Sequence, residues 1–246
     1  MSRFDAPVMK LTASAFEFIE EVDAKSDIPS LINSFQGLIT KFGMDCFMMG
    51  DPTLPKVIRD DRIWAATWPE DWLQHWMSNN YLAVDPVINQ LLARNEPLRW
   101  SEARTANDDT SKRIFNEATE FKMKDGFALP IYSREGFTVG ITMGAEHYEL
   151  SKQDEACLHL ASIYFHAKLE RLRAQNAPKP RSRLTPRERE CLSWVAAGKT
   201  DWEISQILSI AEQTAHEYVQ NALTKLNATT RAQAVAIAIF TKQILC

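Results

Sequence analysis

The sequence predicts an α+β protein, with an N-terminal α/β/α sandwich around a small antiparallel sheet and a C-terminal all-α domain of four helices. Helical and alternating apolar patterns are mixed over residues 1–175, which favours a sheet flanked by helices. A polar segment with two prolines, residues 176–183, interrupts this periodicity and predicts a linker. Short helical patterns with repeated start signals then fill residues 184–246.

The composition is that of a soluble globular protein, with 45% hydrophobic and 24% charged residues. No apolar run approaches the ~18 residues of a membrane helix, and the N-terminus lacks a signal-peptide pattern, so we expect a cytoplasmic protein. The net charge of −4 is uneven, because nine basic and six acidic residues from Lys179 onward give +3 and leave −7 for the rest. This asymmetry indicates different functions for the two parts.

The first predicted helix begins at Asp27 and Pro29 and ends at Gly43, where a left-handed residue favours termination. Three short strand-like runs follow, at residues 46–50, 57–59 and 63–67. Three more helices are predicted, beginning at Pro69, Pro86 and Ser111, of which the last runs to about Phe121.

Two alternating runs, residues 126–132 and 137–143, predict a hairpin. One face carries large apolar side chains, and the other carries small ones, namely Gly126, Ala128, Pro130, Thr138, Gly140 and Thr142. A face of small residues either admits a helix closely or leaves a hollow that could hold a ligand. Ser151, with Asp154 three residues later, then predicts a long helix to about Arg173, which is a candidate dimer element.

Four Ser or Thr residues in the C-terminal region are each followed three residues later by Glu or Gln, a pattern that fixes a helix start. The pairs are Thr185 with Glu188, Thr200 with Glu203, Ser209 with Glu212, and Thr230 with Gln233. Pro186 suits a first helical position, and Gly198 suits the left-handed residue after a helix. The pattern predicts four short helices joined by tight turns.

The second and third of these helices, about residues 201–208 and 210–226, are joined by a short turn as in a helix-turn-helix. One side of the third helix is apolar, and the other carries side chains that suit adenine edges and phosphates. The candidate DNA-binding residues are Gln213, Thr214, His216, Gln220, Asn221 and Lys225. Helix geometry alone leaves a protein-interaction module, whose polar face meets water, as an alternative.

This C-terminal region resembles the LuxR-type helix-turn-helix. The resemblance rests on residues 184–192 (LTPRERECL), 194–200 (WVAAGKT), 203–204 (EI) and 225–226 (KL). It implies binding to double-stranded DNA. Ala215 in place of a usual Val and Tyr218 in place of a usual His leave the DNA sequence preference open.

Five of the seven tryptophans lie between residues 64 and 100. Trp72 and Trp76 share one face of a predicted helix, and Trp68 precedes it. Such spacing is typical of core packing, although each indole N–H needs an acceptor. Asp85 before Pro86 is typical of a helix N-cap, a role that leaves carboxylate lone pairs for another donor. The residues alone therefore leave both a structural core and a ligand site open.

The N-terminal region resembles the autoinducer-binding domain of LuxR-type regulators. Trp72, Asp85, Trp100 and Gly126 match the Trp, Asp, Trp and Gly of the family's N-acyl homoserine lactone site. The resemblance implies that the Trp72 N–H donates to the lactone carbonyl and that Asp85 accepts from the ligand amide. It also implies that Trp100 packs on the lactone ring, that Thr142 bonds the amide region, and that Gly126 permits close backbone approach.

Trp76 stands where many relatives have a tyrosine whose hydroxyl reaches the acyl carbonyl, and an indole is bulkier and differently directed. The other side chains expected near the acyl group are Met48, Trp68, Met77, Val87 and Met123. We therefore expect a crowded, aromatic acyl pocket, and a short, branched or aryl acyl group in preference to a long straight chain.

We predict no catalytic centre, no cofactor and no metal site, because the sequence has no phosphate loop, nucleophile elbow or zinc motif. The five histidines and four cysteines also lack metal-ligand spacing, and the cysteines are expected to be reduced thiols. The protein is thus not expected to be an enzyme.

The predicted function is quorum-sensing regulation of transcription, by a homodimer that binds an N-acyl homoserine lactone and a near-palindromic DNA site. The final helix, with Ala234, Ile237, Ala238 and Ile239, is a second candidate dimer element. One alternative is a response regulator, although the N-terminal half lacks the βα repeats that this needs. Others are a sensor of a different small molecule and an adaptor that contacts protein. The sequence leaves open whether the ligand promotes or releases DNA binding.

Overall fold

The computed structural model describes residues 6–52, 62–94, 96–104, 108–132, 138–176, 184–241 and 243–244. The chain forms two compact units, Met1–Gln175 and Asn176–Cys246. The predicted strand at residues 57–59 and the predicted linker residues 177–183 lie outside the described residues. No helix within these ranges has both the length and the apolar character needed to cross a membrane.

The first unit begins with helices α1 (Ala6–Glu21) and α2 (Ile28–Lys41), with a short 3-10 helix between them. The predicted start of α2 is confirmed, because the Asp27 carboxylate accepts the Ser30 N–H at 2.8 Å as an N-cap. The helix ends before Gly43, whose left-handed φ of +80° favours glycine. α1 has no counterpart among the predicted helices.

The sheet of the first unit has five strands, all of them antiparallel to their neighbours, in the order β2-β1-β5-β4-β3. They are β1 (Cys46–Gly50), β2 (Ile63–Ala66), β3 (Leu98–Arg99), β4 (Asp125–Tyr132) and β5 (Thr138–Ala145). The predicted runs at β1, β2, β4 and β5 are confirmed. β3 is too short for the alternation of side chains to show in the sequence.

Helices cover both faces of this sheet. One face packs against α1, α2 and α7 (Lys152–Asn176), and the other packs against four shorter helices. These are α3 (Glu70–Ser78), α4 (Pro86–Arg94), α5 (Trp100–Ala103) and α6 (Asp109–Glu120), with a 3-10 helix at Tyr81–Ala83 between α3 and α4. The predicted α/β/α sandwich is confirmed.

The β4–β5 hairpin separates two apolar cores, as its alternating pattern predicts. Its large side chains enter the core shared with α1, α2 and α7, and they include Phe127, Leu129, Ile131, Val139, Ile141 and Met143. Ala128 enters the other core, and its partner across the ladder, Thr142, lies on the same face. The hairpin therefore presents small residues to the α3–α6 side of the sheet.

The second unit consists of α8 (Pro186–Ala196), α9 (Asp201–Leu208), α10 (Glu212–Leu226) and α11 (Arg231–Phe240). The capping boxes at Thr185 and Thr200 are confirmed in full. At Thr230 only half of the box forms, because the Gln233 side chain accepts from the Thr229 N–H and not from Thr230.

The predicted capping box at Ser209 is wrong. Ser209 has a left-handed φ of 53° and ends α9, and the following Ile210 N–H bonds back to the Ser205 carbonyl at 3.0 Å. Ser209 is therefore part of the turn between α9 and α10, and α10 begins after Ala211 without a side-chain cap. The third helix of the second unit starts at Glu212 and not at residue 210.

Glu188 joins α8 to α10. It is buried, accepts the Thr185 N–H at 2.7 Å, and lies 2.7 Å from the Lys225 ammonium. Burial raises the pKa of the Glu188 carboxyl, but the hydrogen bonds from Lys225 and Thr185 outweigh it and hold this pKa below its ordinary value of 4.5. Glu188 thus contributes stability in its ionised form.

Glu188→Gln should lower the local free energy of unfolding of the second unit by about 1–3 kcal/mol at neutral pH, because Lys225 loses its buried partner but can still reach water. The folded-state pKa lies below the unfolded one, so the contribution of Glu188 is complete above about pH 5 and is lost as the pH falls through the folded-state pKa. Hydrogen exchange of peptides from residues 184–241 of the full chain measures both effects.

Glu190→Gln is the matched control, because Glu190 pairs with Arg187 at an exposed site and should change stability by less than about 0.5 kcal/mol. Equal protection of the two variants would contradict the structural role of Glu188.

Candidate functional site

Four tryptophans lie together between the sheet and the helices α3–α6, and we call them the indole cluster: Trp68, Trp72, Trp76 and Trp100. All four are buried. Trp72 and Trp76 are on successive turns of α3, and Trp68 precedes this helix, so local helix geometry brings three of the rings together. Trp76 meets Trp68 edge to face, with 5.8 Å between ring centroids.

The indole N–H groups of this cluster differ in their partners. The Trp76 Nε1–H donates to Asp85 Oδ2 at 3.0 Å, and the Trp100 Nε1–H donates to Thr142 Oγ1 at 2.8 Å. The Nε1 atoms of Trp68 and Trp72 are buried and find no acceptor among the described residues. A buried donor without an acceptor costs about 1–3 kcal/mol, so these two need a further explanation.

Asp85 is a buried carboxylate at the start of α4. Its Oδ1 accepts the N–H groups of Val87 at 2.9 Å and Ile88 at 3.3 Å, which confirms the predicted N-cap. Burial raises the pKa of the Asp85 carboxyl above its ordinary value, and the hydrogen bonds from Trp76 and the backbone oppose this. Oδ2, with one described donor, retains a lone pair for another.

Gly126 makes room for Trp100. A Cβ at position 126 would overlap the Met143 carbonyl oxygen and lie 2.5 Å from a ring carbon of Trp100. The close approach expected at Gly126 is therefore that of the Trp100 ring. Thr142 on β5 accepts from the same indole, which leaves its hydroxyl hydrogen to donate.

Two cavities adjoin this cluster. The inner cavity has a volume of about 20 Å³, roughly the space of one water molecule, and is lined by Trp68, Trp72, Asp85, Trp100, Phe115 and Thr142 among others. The outer cavity, of about 410 Å³, is lined by Met48, Leu73, Trp76, Met77, Leu82 and Leu91 among others, with Asp51, Arg62 and Asn80 as polar groups. Val87, Ile88 and Thr142 line both cavities, which are therefore adjacent.

The structure places the side chains expected near the acyl group around these two cavities. The Trp76 N–H is bonded to Asp85, and the indole with an unpaired N–H beside Trp72 is Trp68. The outer cavity is lined mainly by aliphatic side chains and methionine with one indole, so the aromatic crowding surrounds the inner cavity instead. Met48, Met77 and Val87 line the outer cavity, whereas Met123 is buried near Gly144 and outside both linings.

A polar network behind Trp72 carries no recognisable sequence signal. The Glu117 carboxylate on α6 accepts from the Tyr81 hydroxyl at 2.7 Å and lies 2.9 Å from His75 Nε2. His75 in turn stacks on the Trp72 ring with 5.8 Å between centroids. This network fixes the orientation of the Trp72 ring, and its members lie far apart in the sequence.

In the second unit, α10 presents a polar face beside the turn from α9. Four of the predicted DNA-binding residues, Gln213, His216, Gln220 and Asn221, are exposed, and Thr214 is half-buried. The opposite stripe of Ala215, Val219, Ala222 and Leu223 is buried. The His216 ring Nδ1 lies 2.9 Å from Asp201 Oδ2. Lys225 is placed against Glu188, so the structure gives this residue a role in packing α10 on α8.

Both parts of the chain match known protein families. Residues 27–169 match the model of the autoinducer binding domain, and residues 182–238 match that of bacterial regulatory proteins of the luxR family. The chain belongs to the LuxR family. It is therefore a LuxR-type, autoinducer-binding transcriptional regulator with a helix-turn-helix DNA-binding region, and the prediction of a regulator that is not an enzyme is confirmed.

Named relatives of this LuxR-family chain are also regulators. It is 33% identical to the transcriptional activator protein BjaR1 of Bradyrhizobium diazoefficiens, over 92% of this chain and 93% of the relative. It is 37% identical to RpaR of Rhodopseudomonas palustris, an HTH-type quorum sensing-dependent transcriptional regulator, over 92% of each chain. The autoinducer-binding match over residues 27–169 removes the response-regulator alternative, because that range holds no receiver.

Solved structures of SdiA from Escherichia coli share the LuxR-type fold. One matches with a TM-score of 0.75 at 21% identity, covering 94% of this chain and 98% of SdiA. SdiA in complex with octanoyl-rac-glycerol matches with a TM-score of 0.72 at 22% identity, covering 91% of this chain and 92% of SdiA.

Gly126→Ala should lower the free energy of unfolding by about 1–3 kcal/mol or more, because the new methyl overlaps a strand carbonyl and the Trp100 ring. Urea unfolding followed by tryptophan fluorescence measures this change. Gly37→Ala is the control: Gly37 is helical with nothing within 4 Å of a new Cβ, so alanine should add about 0.5–1 kcal/mol. Comparable stability of the two variants would show that Trp100 does not need this glycine.

Proposed function

We propose that this regulator binds an N-acyl homoserine lactone across the inner and outer cavities and, as a homodimer, a near-palindromic double-stranded DNA site. The observation that carries the ligand proposal is the pairing of two buried indole donors without acceptors, Trp68 and Trp72, with a buried acceptor, Asp85. An N-acyl homoserine lactone offers two carbonyl oxygens and one amide N–H. Its polar groups are thus complementary in number and kind to this site.

The contacts of Trp72, Asp85 and Trp68 support one assignment of the ligand. The Trp72 N–H donates to the lactone carbonyl, Asp85 Oδ2 accepts from the amide N–H, and the Trp68 N–H donates to the acyl carbonyl. Thr142 lies beside the amide, and Trp100 packs on the lactone ring. Because the inner cavity has only about 20 Å³, the surrounding side chains move apart to admit the ring.

The acyl group occupies the outer cavity. A branched or aryl group fits beside the ring of Trp76, close to Val87 and Thr142. A long straight chain would run past Trp76 toward the polar groups of Asp51 and Arg62, which favours a short acyl group.

The DNA contacts are assigned to the exposed face of α10. Gln213, Gln220 and Asn221 suit base edges, and Thr214 and His216 suit the backbone. Lys225 serves mainly to hold α10 on Glu188. Two such helices, one DNA turn apart in a dimer, would read a near-palindromic site.

The dimer proposal rests on apolar exposure along α7. Leu160, Ile163 and Tyr164 are each 38–44% exposed there, although they are apolar or aromatic. On α11, Ala234 and Ala238 are buried within the second unit, so this helix has less surface to offer. Ligand burial stabilises the sensor and shifts the population toward the DNA-binding dimer.

A thermal-shift panel tests the ligand. It contains N-butanoyl, N-isobutyryl, N-benzoyl and N-dodecanoyl homoserine lactones and octanoyl glycerol, which lacks an N–H. At about 100 times its Kd, a specific lactone should stabilise the wild-type protein by ~2.7 kcal/mol. Asp85→Ala should weaken lactone binding and reduce the shift strongly, and Trp72→Phe should weaken binding about tenfold or more because one carbonyl loses its donor.

Trp64→Phe is the matched control for the panel, because Trp64 also has a buried, unpaired Nε1 but packs in the core on the opposite sheet face. It should leave the lactone shift intact. A folded wild-type protein that responds to no lactone would refute the lactone assignment, and strongest binding of the dodecanoyl compound would refute the short acyl group.

Gln220→Ala and Asn221→Ala should each weaken specific DNA binding by about 1–3 kcal/mol without changing thermal stability, because both side chains are exposed on α10. A gel shift with the DNA upstream of the gene, with and without lactone, measures this and the sign of the ligand effect. Thr241→Ala, exposed just after α11, is the control. Unchanged binding by both α10 variants would argue for the protein-contacting alternative.

A further inference from the structure

Trp76 is the one member of the indole cluster that donates to a carboxylate. Its Nε1–H lies 3.0 Å from Asp85 Oδ2, and both side chains are buried. From this contact we infer that Trp76 is a positioning residue, which holds the Asp85 carboxylate in the orientation that accepts the ligand N–H. The inference rests on the proposed lactone function and adds to it a residue that determines ligand affinity without touching the ligand amide.

The contacts of Asp85 explain why one indole matters. Oδ1 is fixed by two backbone N–H groups of α4, which still allow the carboxylate plane to rotate about that anchor. The Trp76 N–H is the donor on Oδ2 and fixes this plane. Asp85 lines the inner cavity and Trp76 lines the outer one, so their hydrogen bond lies where the two cavities adjoin. The second lone pair of Oδ2 can then accept a hydrogen bond from a ligand in the inner cavity.

Trp76 also opposes protonation of the Asp85 carboxyl group. Within the described residues, the pKa of Asp85 responds to burial, to the Trp76 indole and to the backbone N–H groups of Val87 and Ile88. Burial raises the pKa of Asp85, and the Trp76 hydrogen bond opposes that rise. A protonated Asp85 would carry a hydrogen of its own and would accept less well from a ligand N–H.

The orientation of Trp76 is itself fixed by packing. Its ring meets Trp68 edge to face at an interplanar angle of 85°. Trp68 has one of the two unpaired N–H donors of the indole cluster. Trp68, which would donate to a ligand carbonyl, and Trp76, which orients Asp85, therefore hold each other in place by packing. A ligand amide, in which a carbonyl and an N–H are adjacent, can accept from Trp68 and donate to Asp85 at the same time.

The experiment compares each lactone that binds the wild-type protein with its ester analogue, in which oxygen replaces the amide N–H. Calorimetric titration of full-length protein gives Kd for wild type, Trp76→Phe, Asp85→Ala and the double variant. Trp76→Phe should weaken lactone binding by about tenfold to a hundredfold and ester binding much less. In the Asp85→Ala background, the same change should have little further effect.

The pH profile separates positioning from simple loss of packing. Loss of the indole N–H should raise the pKa of Asp85 further, because burial then acts with one opposing hydrogen bond fewer. The lactone affinity of Trp76→Phe should therefore fall more steeply than that of the wild type as the pH is lowered. Replacing Trp76 by 3-benzothienylalanine, which keeps the ring but has no N–H, should give the same profile even if phenylalanine loosens the core. Trp64→Phe should match the wild type.

The outcomes distinguish the two proposals. If the wild type binds no lactone, the proposed ligand fails and this inference fails with it. If the wild type prefers a lactone to its ester but the Trp76 variants keep that preference and the wild-type pH dependence, the ligand stands and the role of Trp76 is overturned.

Discussion

The structure depends on the cost of burying polar groups between apolar layers, where each donor and acceptor needs a partner in the protein or in a ligand. In the layer under α3–α6, Trp76 and Trp100 find partners in Asp85 and Thr142. Trp68 and Trp72 find none in the described residues. Aliphatic side chains would fill the same volume without any donor to satisfy. Two unsatisfied donors beside the buried Asp85 carboxylate support the ligand site that we propose in this layer.

Much of the fold was predictable because its signals are local. The N-cap at Asp27, the left-handed Gly43 and the capping boxes at Thr185 and Thr200 each act within a few residues, and each fixed a helix end correctly. The two faces of the β4–β5 hairpin were predictable for the same reason, since alternation alone separates large side chains from small ones. The family resemblance then identified Trp72, Asp85, Trp100 and Gly126 as a set.

The rest was set by tertiary contacts or by competition between local signals. Ser209 suits a helix start by its side chain, but the tight α9–α10 connection places it in a left-handed turn instead. β3 exists only because Leu98 and Arg99 meet β4. The bond between Trp76 and Asp85 spans nine residues, and Glu117 reaches Tyr81 from another helix, so neither follows from a helical repeat. Which indole bonds to which acceptor can be known only from the packed structure.

Carboxylates from neighbouring helices hold α10 near both of its ends. Asp201 on α9 contacts His216 toward the start of α10 and also Arg231, while Glu188 on α8 receives Lys225 near its end. Gln220 and Asn221, which lie between these attachments on the exposed face, take no part in the buried stripe. Because these exposed residues contribute little to the stability of the second unit, their identity is free to vary. Substitutions there need no compensating changes elsewhere in the second unit, so this face of α10 can diverge between related regulators without loss of stability.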